Sequence, residues 1–137
     1  MQEVLKVLYT INSPIVFAHN DLLMKNIVYD QIADQLYFID FEYSAFNFQS
    51  FDLANHFCEY SGQDPFDLEL YPSKEHQLNW IAVYLKFYDE LNSRVDGDAN
   101  GTTKAIDERR IEQLYVQVQK CSLASHLLWG SWALLQR

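Results

Sequence analysis

The sequence predicts an α+β fold that is mainly helical and carries one small β-hairpin. Apolar residues recur at three- and four-residue spacing over two long segments, 73–91 and 107–137, which is the period of a helix packed on one face. Two short apolar runs, 27–29 and 36–39, bracket a polar turn at 30–35 and predict the hairpin. With 137 residues, of which 49% are hydrophobic, the chain is one domain at most and can form a core.

The first half of the chain predicts short elements. Residues 1–10 carry apolar side chains at helical spacing and read as the end of a helix, which Pro14 breaks. Residues 16–18 form a short apolar run that leads into a polar loop. Residues 41–51 are rich in aromatic side chains but too irregular for a helix, so we expect a packed loop.

A helix is expected to follow from Asp52 to Gly62. Asp52 has two candidate roles, which weigh about equally. Its carboxylate can cap this helix, or it can accept hydrogen bonds from the backbone of the polar loop after residue 18.

Two apolar stripes on the segment 73–91 are both expected to be core. The first comprises Leu78, Ile81, Leu85 and Tyr88, and the second comprises Trp80, Tyr84, Phe87 and Leu91. Residues 93–105 contain two glycines and few apolar groups and predict a mobile loop. The helix 107–137 then ends the chain.

Composition excludes several classes of partner. Nineteen acidic residues against ten basic ones give a net charge of −9, which argues against nucleic acid or an anionic membrane and suits a small cation. The most apolar stretch, 121–135, is too short and too polar to span a membrane. Cys58 and Cys121 have no metal or redox spacing and predict reduced, buried thiols in a cytoplasmic protein.

One motif suggests chemistry. His19-Asn20-Asp21 is followed by Asn26, five residues after the aspartate, and then by Asp40-Phe41-Glu42. Phosphoryl transfer needs a carboxylate that orients the attacking hydroxyl, together with a second carboxylate and an amide oxygen that hold Mg²⁺. The order resembles the H-R-D-x-x-x-x-N and D-F-G motifs of protein kinases. Either half alone is also a common turn sequence.

His19 opens the motif, and Tyr43 follows its last residues. The imidazole of His19 is expected to hold the loop rather than to transfer protons. Tyr43 comes three residues after Asp40, so it must lie near the metal if that site exists.

Aromatic residues near the end of the chain suggest a cation pocket. Trp129 and Trp132 are three residues apart and share a helix face. Together with Tyr43 and the carboxylate of Glu59 they are the components of an aromatic cage, in which each ring attracts an ammonium group by about 1–2 kcal/mol. Core packing is the ordinary role of such a pair, and the sequence does not show that these groups converge.

Taken together, these segments resemble the choline/ethanolamine kinases. The segments that match are residues 19–26, 38–43, 51–57 and 123–132. The resemblance covers nearly the whole chain except the loop 94–107. The first two motifs alone would also fit aminoglycoside phosphotransferases, which should lack the paired tryptophans.

The resemblance implies a fold like the C-terminal lobe of a protein-kinase-like enzyme. It implies that ATP and Mg²⁺ take part and that the substrate is choline or ethanolamine, phosphorylated on its hydroxyl in the first step toward phosphatidylcholine or phosphatidylethanolamine. The implied roles are the base for Asp21, Mg²⁺ binding for Asn26 and Asp40, head-group binding for Tyr43, Glu59, Trp129 and Trp132, and support of the catalytic loop for His19 and Asp52.

The chain also departs from the family pattern. Eighteen residues precede His19, and none of them is glycine, so we expect residues 1–137 to be a single partial domain without the N-terminal ATP lobe. A truncated chain of this kind should show little turnover alone. It should expose an apolar surface that pairs with a second copy or with a partner supplying the lobe. A non-catalytic remnant or a small-cation-binding module is the alternative from another class, and choline is not distinguished from ethanolamine.

Overall fold

The computed structural model describes residue 6 and residues 10–62, 65–95 and 107–136. The expected helix end at 1–10 therefore falls mostly outside the described residues. Most of the predicted mobile loop at 93–105 lies outside them as well.

Four short strands form two antiparallel pairs. β1 (Ile15–Ala18) pairs with β4 (Ala45–Phe48), with Ile15 opposite Phe48 and Ala18 opposite Ala45. β2 (Ile27–Asp30) pairs with β3 (Gln35–Phe38) across a four-residue turn. The predicted hairpin is confirmed because its apolar runs and turn chemistry are local signals, and Asp30 Oδ1 accepts from the Ile32 and Ala33 N–H groups inside the turn.

The expectation of a packed loop at 41–51 is wrong. The segment contains a 3-10 turn at Phe41–Tyr43, then β4, and then the first residues of a helix. Its aromatic residues alternate along β4 instead of forming a helical stripe, and the strand exists because β1 supplies its hydrogen-bond partners. A partner thirty residues away is invisible to a local reading of the sequence.

Three α-helices follow the strands. α1 is Gln49–Glu59, α2 is Lys74–Val95 and α3 is Glu108–Leu135. α1 begins three residues before Asp52, so this aspartate lies in the first turn and does not cap the helix. The start of α3 has an aspartate beside it, since Asp107 Oδ1 accepts from the Arg109 N–H at 3.0 Å.

The chain divides into two compact units. One comprises residues 1–71 and 117–137, and the other comprises residues 72–116. The boundary at 116–117 falls within α3. The core of the first unit includes Ala54, Phe57, Val118 and Cys121, all of which are fully buried.

In the second unit, the first apolar stripe of α2 is buried at its centre, and the C-terminal half of the second stripe contradicts the expectation of a core. Ile81 and Leu85 are buried, whereas Phe87 and Leu91 are 55% and 59% exposed. The second stripe lies to one side of the buried face, where Trp80 stacks on Tyr84 at 5.7 Å between ring centroids. Two neighbouring stripes at the same period point in different directions around a helix, so burial of one does not require burial of the other.

Large apolar side chains are exposed on the strands of the first unit. Among them are Phe17 at 66%, Leu36 at 62% and Phe46 at 77%. Contiguous exposed apolar groups are typical of surfaces that contact other protein segments. Across the described residues, none of the helices has the length and apolar character needed to cross a membrane.

Candidate active site

The loop that carries the first aspartate starts directly after β1 and ends in a 3-10 turn at Met24–Asn26. Asn26 is buried, and its side-chain nitrogen donates to the Asp21 main-chain carbonyl at 2.8 Å. The same nitrogen lies 3.4 Å from Asp21 Oδ2. The five-residue spacing thus closes the loop on itself, and the Asn26 side-chain oxygen is the atom that can serve as a ligand.

Asp52 holds this loop from α1. Its two carboxylate oxygens accept the main-chain N–H groups of His19 and Asn20 at 3.0 Å and 2.7 Å. Asn20 has a φ of 64°, a left-handed conformation that costs a non-glycine residue free energy. Of the two roles considered for Asp52, the contacts are those of the second, in which its carboxylate orders the loop.

The Asp21 carboxyl is half-buried, and its surroundings raise its pKa above the ordinary value. Burial is the largest cause, and the negative charges of Asp40 and Glu42 act in the same direction. His19 and the Asn26 hydrogen bond oppose the shift. A carboxylate with a raised pKa accepts a proton more readily, which suits a general base.

The second aspartate of the motif lies just past β3. Asp40 is exposed and has a φ of 64°, so its backbone is also left-handed. The preceding residue, Ile39, donates its N–H to the Asn26 carbonyl at 3.0 Å. This bond joins the end of the hairpin to the end of the loop and brings the two halves of the sequence motif to one place.

The donors available here fit Mg²⁺. In the part of the chain that the structure describes, no group of three or more His, Cys, Asp or Glu side chains could hold a metal ion. Mg²⁺ does not require such a cage, because it usually keeps waters and binds one or two carboxylates together with substrate phosphates. One amide oxygen from Asn26 and one carboxylate from Asp40 match that requirement, and the clustered negative charge around Asp21 favours a cation.

His19 is a structural contact in this arrangement. It is buried, its Nε2 donates to the Ile39 carbonyl at 3.0 Å, and its ring lies 4.9 Å from that of Phe41. Its Nδ1 is buried and has no hydrogen-bond partner among the described atoms. The ring thus links the loop to the hairpin.

Three of the four predicted cage residues lie ring to ring. The centroids of Tyr43 and Trp129 are 5.3 Å apart with the rings at 77°, and those of Trp129 and Trp132 are 6.0 Å apart at 71°. Trp132 is 42% exposed, so the group is open to solvent. Glu59 lies in the last turn of α1, one helical turn beyond Asn55. Asn55 Oδ1 accepts from the Trp129 indole at 2.7 Å.

Sequence reasoning missed several residues of the site. Asn20 and Asn55 hydrogen-bond between the loop and the aromatic group, and Glu42 contributes charge beside Asp21. A glutamate in place of the third letter of D-F-G could have suggested Glu42. The asparagines give no comparable signal, because a polar residue within a helical pattern does not reveal whether it is buried.

His56 was also missed, and it braces the loop from α1. It is buried, and its Nδ1 donates to the Leu22 carbonyl at 2.8 Å. Burial lowers the pKa of His56, and this cause outweighs the Leu22 hydrogen bond and the nearby Asp52 charge, which raise it. The folded chain therefore binds a proton on this imidazole less readily than the unfolded chain does.

We expect His56 to make the chain less stable at acidic pH. The pKa of this imidazole is about 6.5 when unfolded and lower when folded, so the unfolded chain binds more protons below about pH 6.5. Stability should fall as the pH drops through that value, by at most about 1.4 kcal/mol per pH unit for one proton. His56→Asn keeps a donor near the Nδ1 position and should flatten the decline in urea titrations. The slope of the unmodified chain is the reference, and an unchanged slope in His56→Asn would contradict the assignment.

Comparisons with known proteins assign the chain to a family. The family model described as choline/ethanolamine kinase matches residues 1–137. Human ethanolamine kinase 2 is 44% identical over 126 residues, which are 92% of this chain and 29% of that protein. The chain therefore spans less than a third of the length of this curated relative.

Solved structures give the same result for the fold. The Plasmodium vivax ethanolamine kinase superimposes with a TM-score of 0.79 at 40% identity, covering 98% of this chain and 31% of that one. The choline kinase from Cryptosporidium parvum gives a TM-score of 0.67 at 31% identity, covering 96% of this chain and 36% of that one.

The fold is thus mainly helical with small antiparallel sheets and is of the protein-kinase-like class. Within that class, the chain belongs to the choline/ethanolamine kinase family.

Proposed function

We propose that this chain carries the phosphoryl-acceptor site of an amino-alcohol kinase, which moves the γ-phosphoryl group of ATP to the hydroxyl of ethanolamine or choline. One observation carries the proposal. Hydrogen bonds through Asn20 and Asn55 connect the loop that carries Asp21 to the aromatic group of Tyr43 and Trp129. An amino alcohol needs a carboxylate that activates its hydroxyl at one end and a binding site for its ammonium group at the other.

Each residue has a defined task in this proposal. Asp21 orients the substrate hydroxyl and accepts its proton, and its raised pKa suits that step. Asn26 and Asp40 hold Mg²⁺, which when bound neutralises the charge that develops on the phosphoryl oxygens. Asp52 and His19 act indirectly, since their hydrogen bonds hold the backbone that presents Asp21.

The cage binds the amine end. An ammonium group placed against the rings of Tyr43, Trp129 and Trp132 gains cation–π attraction. The carboxylate of Glu59, one helical turn after Asn55 on α1, adds electrostatic attraction. We propose ethanolamine as the preferred substrate because the human relative and the more similar of the two solved structures are both named ethanolamine kinases.

The cellular setting follows from this chemistry. Phosphorylation of ethanolamine or choline would be the first step toward the corresponding phospholipid. The thiols of Cys58 and Cys121 are both free, which is consistent with the reducing conditions of the cytoplasm.

A competition assay tests the proposal. The 137-residue chain, and a chimera in which it replaces the matched 126-residue segment of human ethanolamine kinase 2, are supplied with Mg²⁺, ATP and equal amounts of ethanolamine and choline. We expect phosphoethanolamine as the main product of the chimera. A chimera that folds and binds ATP but phosphorylates neither amine would support a non-catalytic remnant instead.

The cage predicts a selective effect on amine affinity. Trp132→Ala removes one ring at an open position and should raise the KM for ethanolamine about tenfold, since a cation–π contact contributes about 1–2 kcal/mol. The KM for ATP should not change. Trp80→Ala, which removes a tryptophan stacked on Tyr84 in the other unit, is the matched control. Equal KM changes in the two variants would argue against the cage.

A further inference from the structure

We propose that Asn55 is a positioning residue that couples the aromatic group of Tyr43, Trp129 and Trp132 to the Asp21 loop. The position of the bound ammonium group then determines the position of the reacting hydroxyl. The catalytic part of this inference rests on the proposed function. The coupling itself is a property of the free chain and can be measured there.

The hydrogen bonds of Asn55 determine how its amide is turned. Its side chain is fully buried, and its Oδ1 accepts from the Trp129 indole and from the Ser125 hydroxyl, both at 2.7 Å. The indole N–H can only donate, so the amide atom that it meets must be the oxygen. Its Nδ2 must then face the loop, where it donates to the Asn20 carbonyl at 3.2 Å.

Asn20 receives a second connection from the aromatic group. Its own Nδ2 donates to the Tyr43 carbonyl at 2.9 Å, and its Oδ1 accepts from Asn47 on β4 at 2.9 Å. Two residues of the aromatic group are therefore tied to the residue that directly precedes Asp21. Tyr43 is linked through its main chain and Trp129 through Asn55.

The burial of the two asparagines, Asn20 and Asn55, makes the coupling stiff. A buried donor or acceptor that loses its partner costs more free energy than the bond itself contributes, so the network resists partial opening. A shift of the Trp129 ring must then be accommodated at Asn20, and hence at Asp21. The expected result is a fixed spacing between the ammonium group and the carboxylate, which selects amino alcohols by chain length.

The first arm of the experiment measures coupling in the free chain by NMR. Trp129→Phe replaces the indole by a smaller ring without an N–H donor, and we expect it to shift the backbone amide resonances of Asn20 and Asp21. In an Asn55→Ala background the same substitution should shift them much less, because only the connection through Tyr43 remains. Asn55→Asp is the second variant in case alanine prevents folding, because it keeps the shape and the acceptors for Trp129 and Ser125 but loses the donor to Asn20. Val118→Ala, a fully buried change on α3 outside the network, is the control.

The second arm measures selectivity in the chimera described above. Asn55→Ala should lower kcat for ethanolamine and reduce the preference for ethanolamine over 3-amino-1-propanol by about tenfold, because the spacing is no longer fixed. Val118→Ala should keep the preference even if it destabilises the fold.

The outcomes separate the two proposals. Loop resonances that ignore Trp129→Phe, or that respond equally with and without Asn55, would overturn the coupling. An unchanged chain-length preference in a folded, active Asn55 variant would overturn the role in selectivity. No turnover of either amine by the unmodified chimera would count against the proposed function, while the NMR arm would still decide the coupling.

Discussion

Asp21→Asn is expected to reduce amine-dependent phosphoryl transfer by about 10²- to 10⁴-fold, which is the usual contribution of a positioned general base. The amide has nearly the same shape as the carboxylate but cannot accept the hydroxyl proton. The substitution also removes a negative charge beside Asp40 and Glu42. Mg²⁺ binding should weaken only modestly, because the proposed ligands Asn26 and Asp40 are unchanged. The loss should therefore appear in kcat, with little change in the KM for ethanolamine.

The control for this substitution is Asp34→Asn. Asp34 is an exposed aspartate in the hairpin turn with a φ of 50°, a conformation that asparagine tolerates well. Its carboxylate accepts from the Tyr29 hydroxyl at 2.7 Å, and an amide oxygen can do the same. Activity should be unchanged. A kcat for Asp21→Asn within threefold of this control, a range on the order of 0.7 kcal/mol, would show that Asp21 is not the base.

Asp52→Asn is expected to have the second largest effect, on stability and activity together. The carboxylate accepts two main-chain N–H groups, and hydrogen bonds to a charged group contribute about 1.5–3 kcal/mol each. An amide can accept only one of them and turns its NH₂ group toward the other. We expect a loss of about 2–3 kcal/mol in urea unfolding, and a lower kcat because Asn20 is no longer held in its left-handed conformation.

Asp67→Asn is the matched control for Asp52. Asp67 also accepts a main-chain N–H, that of Glu69 at 3.0 Å, but it is exposed and caps a short 3-10 turn. Asparagine is an equally good cap, so its stability should change little. Similar losses of unfolding free energy in the two variants would mean that Asp52 stabilises the loop no more than an exposed cap stabilises its turn.

The sequence predicted the local elements well. The hairpin was readable because two apolar runs and a polar turn lie within twelve residues of each other, and the long helices were readable from one buried stripe each. β4 was missed because a strand at 45–48 requires β1 as its partner. The exposed stripe of α2 was misread because periodicity marks a helix face without saying what covers it.

The candidate site shows the same division. The motif residues Asp21, Asn26 and Asp40 could be selected from spacing alone, since phosphoryl transfer needs those functional groups in that order. The sequence left the role of Asp52 open and could not show that Tyr43 and Trp129 converge. Asn55 drew no attention beyond the family resemblance, because buried and exposed asparagines look alike in a sequence.

The sequence by itself therefore determined the hairpin, the long helices and the candidate functional groups of this protein, because these depend on neighbours a few residues away. Only the tertiary structure decided which groups meet. Asp52 reaches the loop across 33 residues, and Asn55 reaches Trp129 across 74. Contacts at that separation depend on strand pairing and helix packing, in which each residue's environment comes from distant parts of the chain.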